Sequence, residues 1–261
     1  MLLQHNILAL FLLLAVIALL YVLGERFAAF RVLRTYKAAV PVIAYVVIIT
    51  VVMGLVRQER GGHWFHDMLS FWPFWLAYIL MVIVLGITIT DRIRKIIVRK
   101  RFLWRTDVPF LLNHAGLFLA IVAATLGSAD IQQLRMMVTT GQLEQVAYNE
   151  SGDEVPLPFA VELKRFIMET YEDGSPKRFA SDLRFLTNDR QVLTATVDVN
   201  RPANLLGYNI YQFGYDEAAG PAGEYSILQI VRDPWLPAVY TGIYMLILGA
   251  LWSLLIKKVE T

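Results

Sequence analysis

A chain of 261 residues with 57% hydrophobic and only 18% charged side chains, and a mean hydropathy of +0.51, is too apolar for an ordinary soluble domain. Its net charge of +2 is no nucleic-acid signal, because the cations gather in two short stretches beside apolar runs. The lack of any cysteine excludes thiol chemistry and disulfides.

Five apolar runs account for the excess: Asn6 to Leu23, Ala38 to Val56, Phe71 to Thr90, Val108 to Gly127 and Leu236 to Ile256. Each is about 18 to 21 residues long, the length that crosses a hydrocarbon core of about 30 Å as a helix. The first run lacks a charged leader and a small-residue cleavage site, so it reads as a helix rather than a secretory signal. Pro41 and Pro109 are expected in the first turns of their helices, as are Pro73 and Pro237, where a missing N–H costs nothing.

Between the first two runs, "ERFAAFRVLRTYK" carries Arg26, Arg31, Arg34 and Lys37. Between the third and fourth, "DRIRKIIVRKRFLWR" reads as a loop carrying Arg92, Arg94, Lys95, Arg99, Lys100, Arg101 and Arg105. Both are expected on the cytoplasmic side, together with Lys257 and Lys258 near the C-terminus. The N-terminus and the segment 128–234 then lie outside. The opposite loop, "RQERGGHWFHDMLS", holds His63, Trp64 and His66 before Trp72, Phe74 and Trp75. This reads as an interfacial aromatic belt, or as an outer surface for a ligand or a partner.

The fourth run, "PFLLNHAGLFLAIVAATLG", is apolar except for Asn113 and His114. An ionisable group inside a membrane span is a functional candidate by default, because it costs a few kcal/mol unless it finds a partner. His114 lies roughly 9 Å along the helix from Val108, at 1.5 Å per residue, in the expected cytoplasmic half. At 100° per residue Phe110, Phe118, Ile121 and Thr125 share its face, while Gly116, Ala120 and Ala124 form a small-residue stripe on another. A lone membrane histidine also serves simply to hydrogen-bond a neighbouring helix. His5, His63 and His66 are expected at the outer surface, too far away to share a metal with it.

Beyond Gly127, "DIQQLRMMVTTGQLEQVAYNE" reads as a short amphipathic helix or an extended arm. "LPFAVELKRFIMETY" and "RFASDLRFLTN" flank the turn signal "EDGSPK"; "RQVLTATVDVN", "GYNIYQFGY" and "EYSILQIVRD" add further strands. About five or six short strands imply a small antiparallel β-domain, held against the membrane bundle by its short connections. The expected fold is therefore a bundle of five transmembrane helices with a small antiparallel β-rich extracytoplasmic domain inserted between the last two. The divisions are 1–127 for the first four helices, 128–234 for the domain, and 235–261 for the last helix and tail. Gly-rich phosphate loops and the CxxC, HExxH and GxSxG spacings are missing, so no catalytic residue is assigned.

Taken together, "LNHAGLFLAIVAATLGSADIQQLRM", "LPFAVELKRFIMETYEDGSPKRFASDLRFL", "ATVDVNRPANLLGYNIYQFGYD" and "SILQIVRDPWLPAVYTGIYMLILGALW" resemble the ResB (CcsB) family of cytochrome c biogenesis proteins, in the same order from about Ala38 to Trp252. The resemblance implies an accessory subunit of the system II haem-attachment machinery in a bacterial inner membrane. Such a subunit works with a CcsA-type partner to bring haem b to the outer face and present it to apocytochrome c. It also implies that His114 is an axial ligand to haem iron within the bilayer, the second ligand coming from the partner chain. His63, His66 and Trp64 are then candidates for an outer haem or partner surface. Tyr208, Tyr211, Tyr215, Arg232 and Asp233 match family-like positions and are expected to pack the domain and to cap the turn into the last helix. The chain departs from the family in its compact domain, its extra N-terminal helix and its lack of a CcsA-like half. Lipid is an expected partner and nucleic acid is not. Two other classes fit the composition: a b-type haem anchor of a quinone-linked complex, which would want paired histidines for each haem, and a docking scaffold that binds no haem.

Overall fold

The computed structural model describes residues 2–59 and 61–259, which divide into two compact units: Met1–Ala129 with Trp235–Thr261, and Asp130–Pro234. The first unit is helical. It comprises α1 (Leu2–Arg26), a single-turn α2 (Ala28–Arg31), α3 (Tyr36–Leu55), α4 (Trp72–Arg99), α5 (Trp104–Gly127) and, after the inserted unit, α6 (Leu236–Val259). By length and composition 5 of these, all but α2, can cross a membrane, and the protein is a multi-pass membrane protein.

Several boundaries differ from expectation. The helix α4 runs on through Asp91, Arg92, Arg94, Lys95 and Arg99 to a left-handed cap at Lys100, so most of the cationic "loop" is helix. Its isoleucines alternate with charge at helical spacing, and Asp91 pairs with Lys95 one turn on. The stretch "ERFAAFRVLRTYK" likewise coils into α2 and a 3₁₀ turn, Val32–Arg34. Both α3 and α5 start earlier than their apolar runs, which leaves Pro41 and Pro109 inside the helices rather than in first turns. Pro73 does sit in the first turn of α4.

Small residues set the helix contacts. A methyl group on Gly86 of α4 would come within 2.6 Å of Ile17 on α1, and the buried trio Ile17, Tyr21 and Ile87 seals that contact with Phe118 of α5 packed against it. The Asn6 amide donates to the Leu126 carbonyl at 2.9 Å, linking α1 to the far end of α5. At the opposite end Arg34 donates to the Tyr21 hydroxyl at 2.6 Å and to Asp91 at 3.0 Å.

The second unit is one 8-stranded sheet in the order β5-β4-β3-β2-β1-β8-β7-β6, every adjacent pair antiparallel. The strands are β1 (Gln132–Thr139), β2 (Leu143–Tyr148), β3 (Glu154–Thr170), β4 (Pro176–Thr187), β5 (Val192–Asp198), β6 (Ala203–Leu205), β7 (Tyr208–Tyr215) and β8 (Tyr225–Arg232). The two edge strands, β5 and β6, follow one another in the chain, separated only by residues 199–202. Laid flat, eight strands about 4.8 Å apart would hold the edges roughly 34 Å from each other. The short connection reaches about half that. The sheet therefore has to roll, and a tight turn closed by an isolated bridge between Asp198 and Arg201 leads from one edge strand to the other. Rolling encloses a single core to which every strand contributes, including Met136, Ala147, Phe159, Leu183, Val197, Leu205, Ile210 and Ile230.

The sequence reading undercounted the strands. The stretch from Asp130 to Glu150, expected as a helix or an arm, is the hairpin of β1 and β2. Leu134, Met136 and Val138 point inward while Gln133, Arg135 and Met137 point out, which is a period of two. Expected packing roles hold for Tyr208, which meets Phe159 edge-on at 5.7 Å, and for Tyr215, stacked between Phe166 and Phe179 at 4.9 and 4.7 Å.

Candidate functional site

Helix α5 presents two different faces. On one, Gly116 and Ala120 press against Gly242 of α6, and Leu112 and Asn113 press against Gly249. The small-residue stripe expected there is thus taken up by a close helix crossing, for which glycine at both helices lets the backbones approach. Gly127 continues it against Trp235.

The other face carries His114. Its Nδ1 lies 2.8 Å from the Phe110 carbonyl one turn earlier, and its ring stacks on the Phe110 ring with centroids 4.0 Å apart. A carbonyl can only accept, so Nδ1 carries a proton, and in the neutral ring Nε2 keeps its lone pair. The imidazole is half-buried. A neutral nitrogen donor of fixed orientation, among apolar walls, is suited to an axial position on haem iron.

The same Phe110 ring is in contact with a cation. The Arg92 guanidinium of α4 lies 4.9 Å from its centroid and forms an ion pair with Asp107 of α5, a terminal nitrogen standing 2.7 Å from the carboxylate. Asp107 is fully buried, accepts the Leu103 backbone N–H at 2.7 Å, and is paired also with Arg99. One carboxylate thus answers two guanidiniums. Asp107 lies two turns before His114 on the same helix face, which places the charge cluster just below the imidazole. The sequence reading overlooked Asp107 and treated Arg92 and Arg99 as topology signals only. A single acidic residue entering an apolar run beside seven cations was the available clue; its partners become visible only when α4 and α5 fold back on each other.

The outer candidates have a different character. His63 precedes and His66 ends a 3₁₀ turn, Trp64–His66, between α3 and α4, and both are exposed. The His66 Nδ1 lies 3.2 Å from the Arg57 carbonyl, and Trp64, in a left-handed backbone conformation, stacks on Phe71 at 6.0 Å. His5 lies on α1, so the four histidines belong to three separate segments. Among the described residues no cluster of three or more His, Cys, Asp or Glu is poised to hold a metal ion.

In the rolled sheet the buried carboxylate Glu162 accepts from Lys164 at 2.7 Å and pairs across the strands with Arg184; the Lys164 ammonium first, with Arg184 beside it, holds its carboxyl below the usual range. Asp198 is held low by Arg178, which donates to it from two nitrogens at 2.6 and 3.1 Å, and Asp182 by the Thr196 hydroxyl at 2.6 Å together with Arg165. These are cross-strand ties on β3, β4 and β5.

Five membrane-crossing helices with a rolled antiparallel sheet between the last two define a multi-pass membrane protein with an inserted β-domain. Residues 107–222 match the ResB-like family, a range that opens at Asp107 and includes His114, so this segment is ResB-like, as its resemblance to that family implied. Protein NrfI of Wolinella succinogenes is 33% identical over 114 residues, which cover 42% of this chain and 12% of that protein. The cytochrome c biogenesis protein CcsB of Synechococcus sp. (strain JA-3-3Ab) is 31% identical over 106 residues, or 39% of this chain and 22% of that one. The matches thus span less than a quarter of these relatives' lengths. The solved structure of a cytochrome c heme lyase, CcmF, aligns with 80% of this chain and 34% of its own at 14% identity and a TM-score of 0.43.

Proposed function

We propose that this protein is a haem-handling membrane subunit of cytochrome c biogenesis, in which His114 takes an axial position on the iron of a haem in transit. The observation that carries the reading is the bond from His114 to the Phe110 carbonyl, which leaves Nε2 free as a donor to a metal within a membrane helix. His114 and Phe110 fall inside the segment that matches the ResB-like family, and relatives of that segment are named for cytochrome c biogenesis.

Haem b is the cargo in this reading, and the second axial ligand comes from a CcsA-type partner. The chain's own residues bind and orient. Phe110 fixes the imidazole, the apolar side chains along the face exclude water from it, and the crossing of α5 on α6 holds the helix still. The cationic helix ends face the cytoplasm, where haem enters, and the β-domain faces the apocytochrome outside. No residue of this chain is assigned a bond-making step.

Visible absorption of the protein purified in detergent with its co-purifying partners tests the reading. A Soret band is expected, weakened or lost in His114→Ala and restored when imidazole is added to His114→Gly. A band indifferent to both substitutions would remove the haem-ligand role.

A further inference from the structure

The charge cluster beside His114 leaves two buried polar atoms without a hydrogen bond among the described residues, the Nε of Arg92 and the Oδ1 of Asp107. Arg99 is hydrogen-bonded through two of its nitrogens: a terminal nitrogen meets Asp107, and its Nε donates to the Arg101 carbonyl at 2.6 Å. Arg92 is not. One terminal nitrogen reaches Asp107, but its Nε is buried and has no hydrogen-bond acceptor among the described residues. A buried N–H of a charged group left without an acceptor is costly, and such atoms are rare in folded proteins unless a ligand completes them. The guanidinium is held against the aromatic ring on which His114 stacks. A quarter of the Arg92 side chain, 24%, stays accessible, and the buried Nε is reached when the guanidinium turns toward an incoming group.

We infer that Arg92 is a positioning residue that takes a carboxylate of the porphyrin whose iron His114 holds. The inference rests on the haem-ligand reading of His114 given above. A porphyrin of this kind is an apolar disc with its carboxylates on one edge, several ångströms from the metal. It needs a neutral nitrogen at its centre and a cation at one rim, and α5 and α4 supply these on either side of Phe110. Arginine suits the rim because its planar fork matches a carboxylate with two parallel N–H bonds, whereas an ammonium offers only a point charge. Asp107 holds one edge of that fork, and Arg99 keeps the carboxylate neutralised when Arg92 turns toward a ligand. The charged rim also fixes which way the disc faces, since its carboxylates would otherwise sit in hydrocarbon.

The test separates rim from centre. The full-length protein in neutral detergent is titrated with iron-free protoporphyrin IX and with its dimethyl ester, read by porphyrin fluorescence, and with ferric protoporphyrin IX, read by the Soret band. Wild type is expected to favour the diacid over the diester by about tenfold. Arg92→Gln should abolish that preference with the Soret position unchanged, and Arg92→Lys should keep only part of it. His114→Ala should shift or remove the Soret band while leaving the diacid preference of the iron-free porphyrin intact. If only that last result fails, the haem-ligand reading falls separately. A diacid preference retained in Arg92→Gln, or lost equally in Arg99→Gln, overturns the inference. So does an Arg92→Gln protein that binds both porphyrins normally but loses affinity for phosphatidylglycerol vesicles, which would assign the guanidinium to lipid headgroups.

Discussion

Gly242 on α6 lies so close to Gly116 on α5 that a methyl group added to Gly242 would come within 2.6 Å of the Gly116 carbonyl oxygen and of the Ala120 nitrogen. Both are backbone atoms of the facing helix, which no side-chain rotation can move aside. The crossing holds the back of α5 in place, and so fixes the direction in which its opposite face presents His114.

Gly242→Ala should therefore destabilise the helical unit by about 1–3 kcal/mol, because the helices have to part. Gly54→Ala is the control: nothing lies within 4 Å of the added methyl, and alanine is the better helix former by up to about 1 kcal/mol. Thermal unfolding in detergent should show opposite signs for the two variants. Equal effects would show that the crossing is looser than described.

Asp107→Asn should cost more than the loss of either cation. Removing the shared carboxylate leaves Arg92 and Arg99 facing each other with no counter-charge, and breaking a buried pair in this way costs on the order of 3 kcal/mol or more. Arg92→Gln and Arg99→Gln each leave one guanidinium on the carboxylate and should cost clearly less. Chemical denaturation of the three variants gives the ranking directly. A milder Asp107→Asn would mean that the cluster is solvated in the membrane.

Much of this architecture was legible in the sequence, and the parts that were not share a cause. The five spans follow from run length alone, and β3, β4, β5, β7 and β8 from alternating, β-branched and aromatic runs bounded by turns. The hairpin of β1 and β2 was hidden because "QQLRMMV" and "QLEQV" are built from residues that favour helices in isolation, and pairing of β1 with β8 overrides that preference. His114 stood out as polar in an apolar run. Asp107 did not, because its meaning depends on Arg92 and Arg99 arriving from another helix.

The rolled sheet should be sensitive to core truncation and indifferent on its surface. Phe159 is fully buried between Phe185 and Tyr208, so Phe159→Ala should cost about 3–5 kcal/mol. Phe213 is half exposed and has Arg135 over its ring at 4.3 Å, so Phe213→Ala should cost less than about 1 kcal/mol. Far-UV circular dichroism of the β signal during urea unfolding compares them, and similar costs would contradict the enclosed core.

Acid should loosen the same unit. The carboxyls of Glu162, Asp182 and Asp198 are depressed by their partners in the folded state, so they contribute stability above their ordinary values of 4.5 for Glu and 3.8 for Asp. That contribution is flat at neutral pH and is lost as the pH falls below those values and through the depressed folded ones. Glu162→Gln should make the unit less stable at pH 7 and flatten the acid limb. A limb equally steep in the variant would show that Glu162 carries none of it.

The final expectation concerns a proton. If the Phe110 carbonyl accepts from His114, the imidazole is the tautomer protonated at Nδ1, with Nε2 the bare nitrogen. The exposed His63 has no such constraint, and exposed imidazoles favour the opposite tautomer or exchange between the two. Selective ¹⁵N-histidine labelling of the ligand-free protein in detergent, with His114→Gln to assign the signal, should give one resonance pair with a protonated Nδ1. Replacing Pro109 with Ala should leave that pattern in place, because the carbonyl at issue belongs to Phe110. A His114 signal protonated at Nε2 would mean that the metal-facing nitrogen is already occupied by hydrogen, and ligation would then require the ring to give up its bond to Phe110 first.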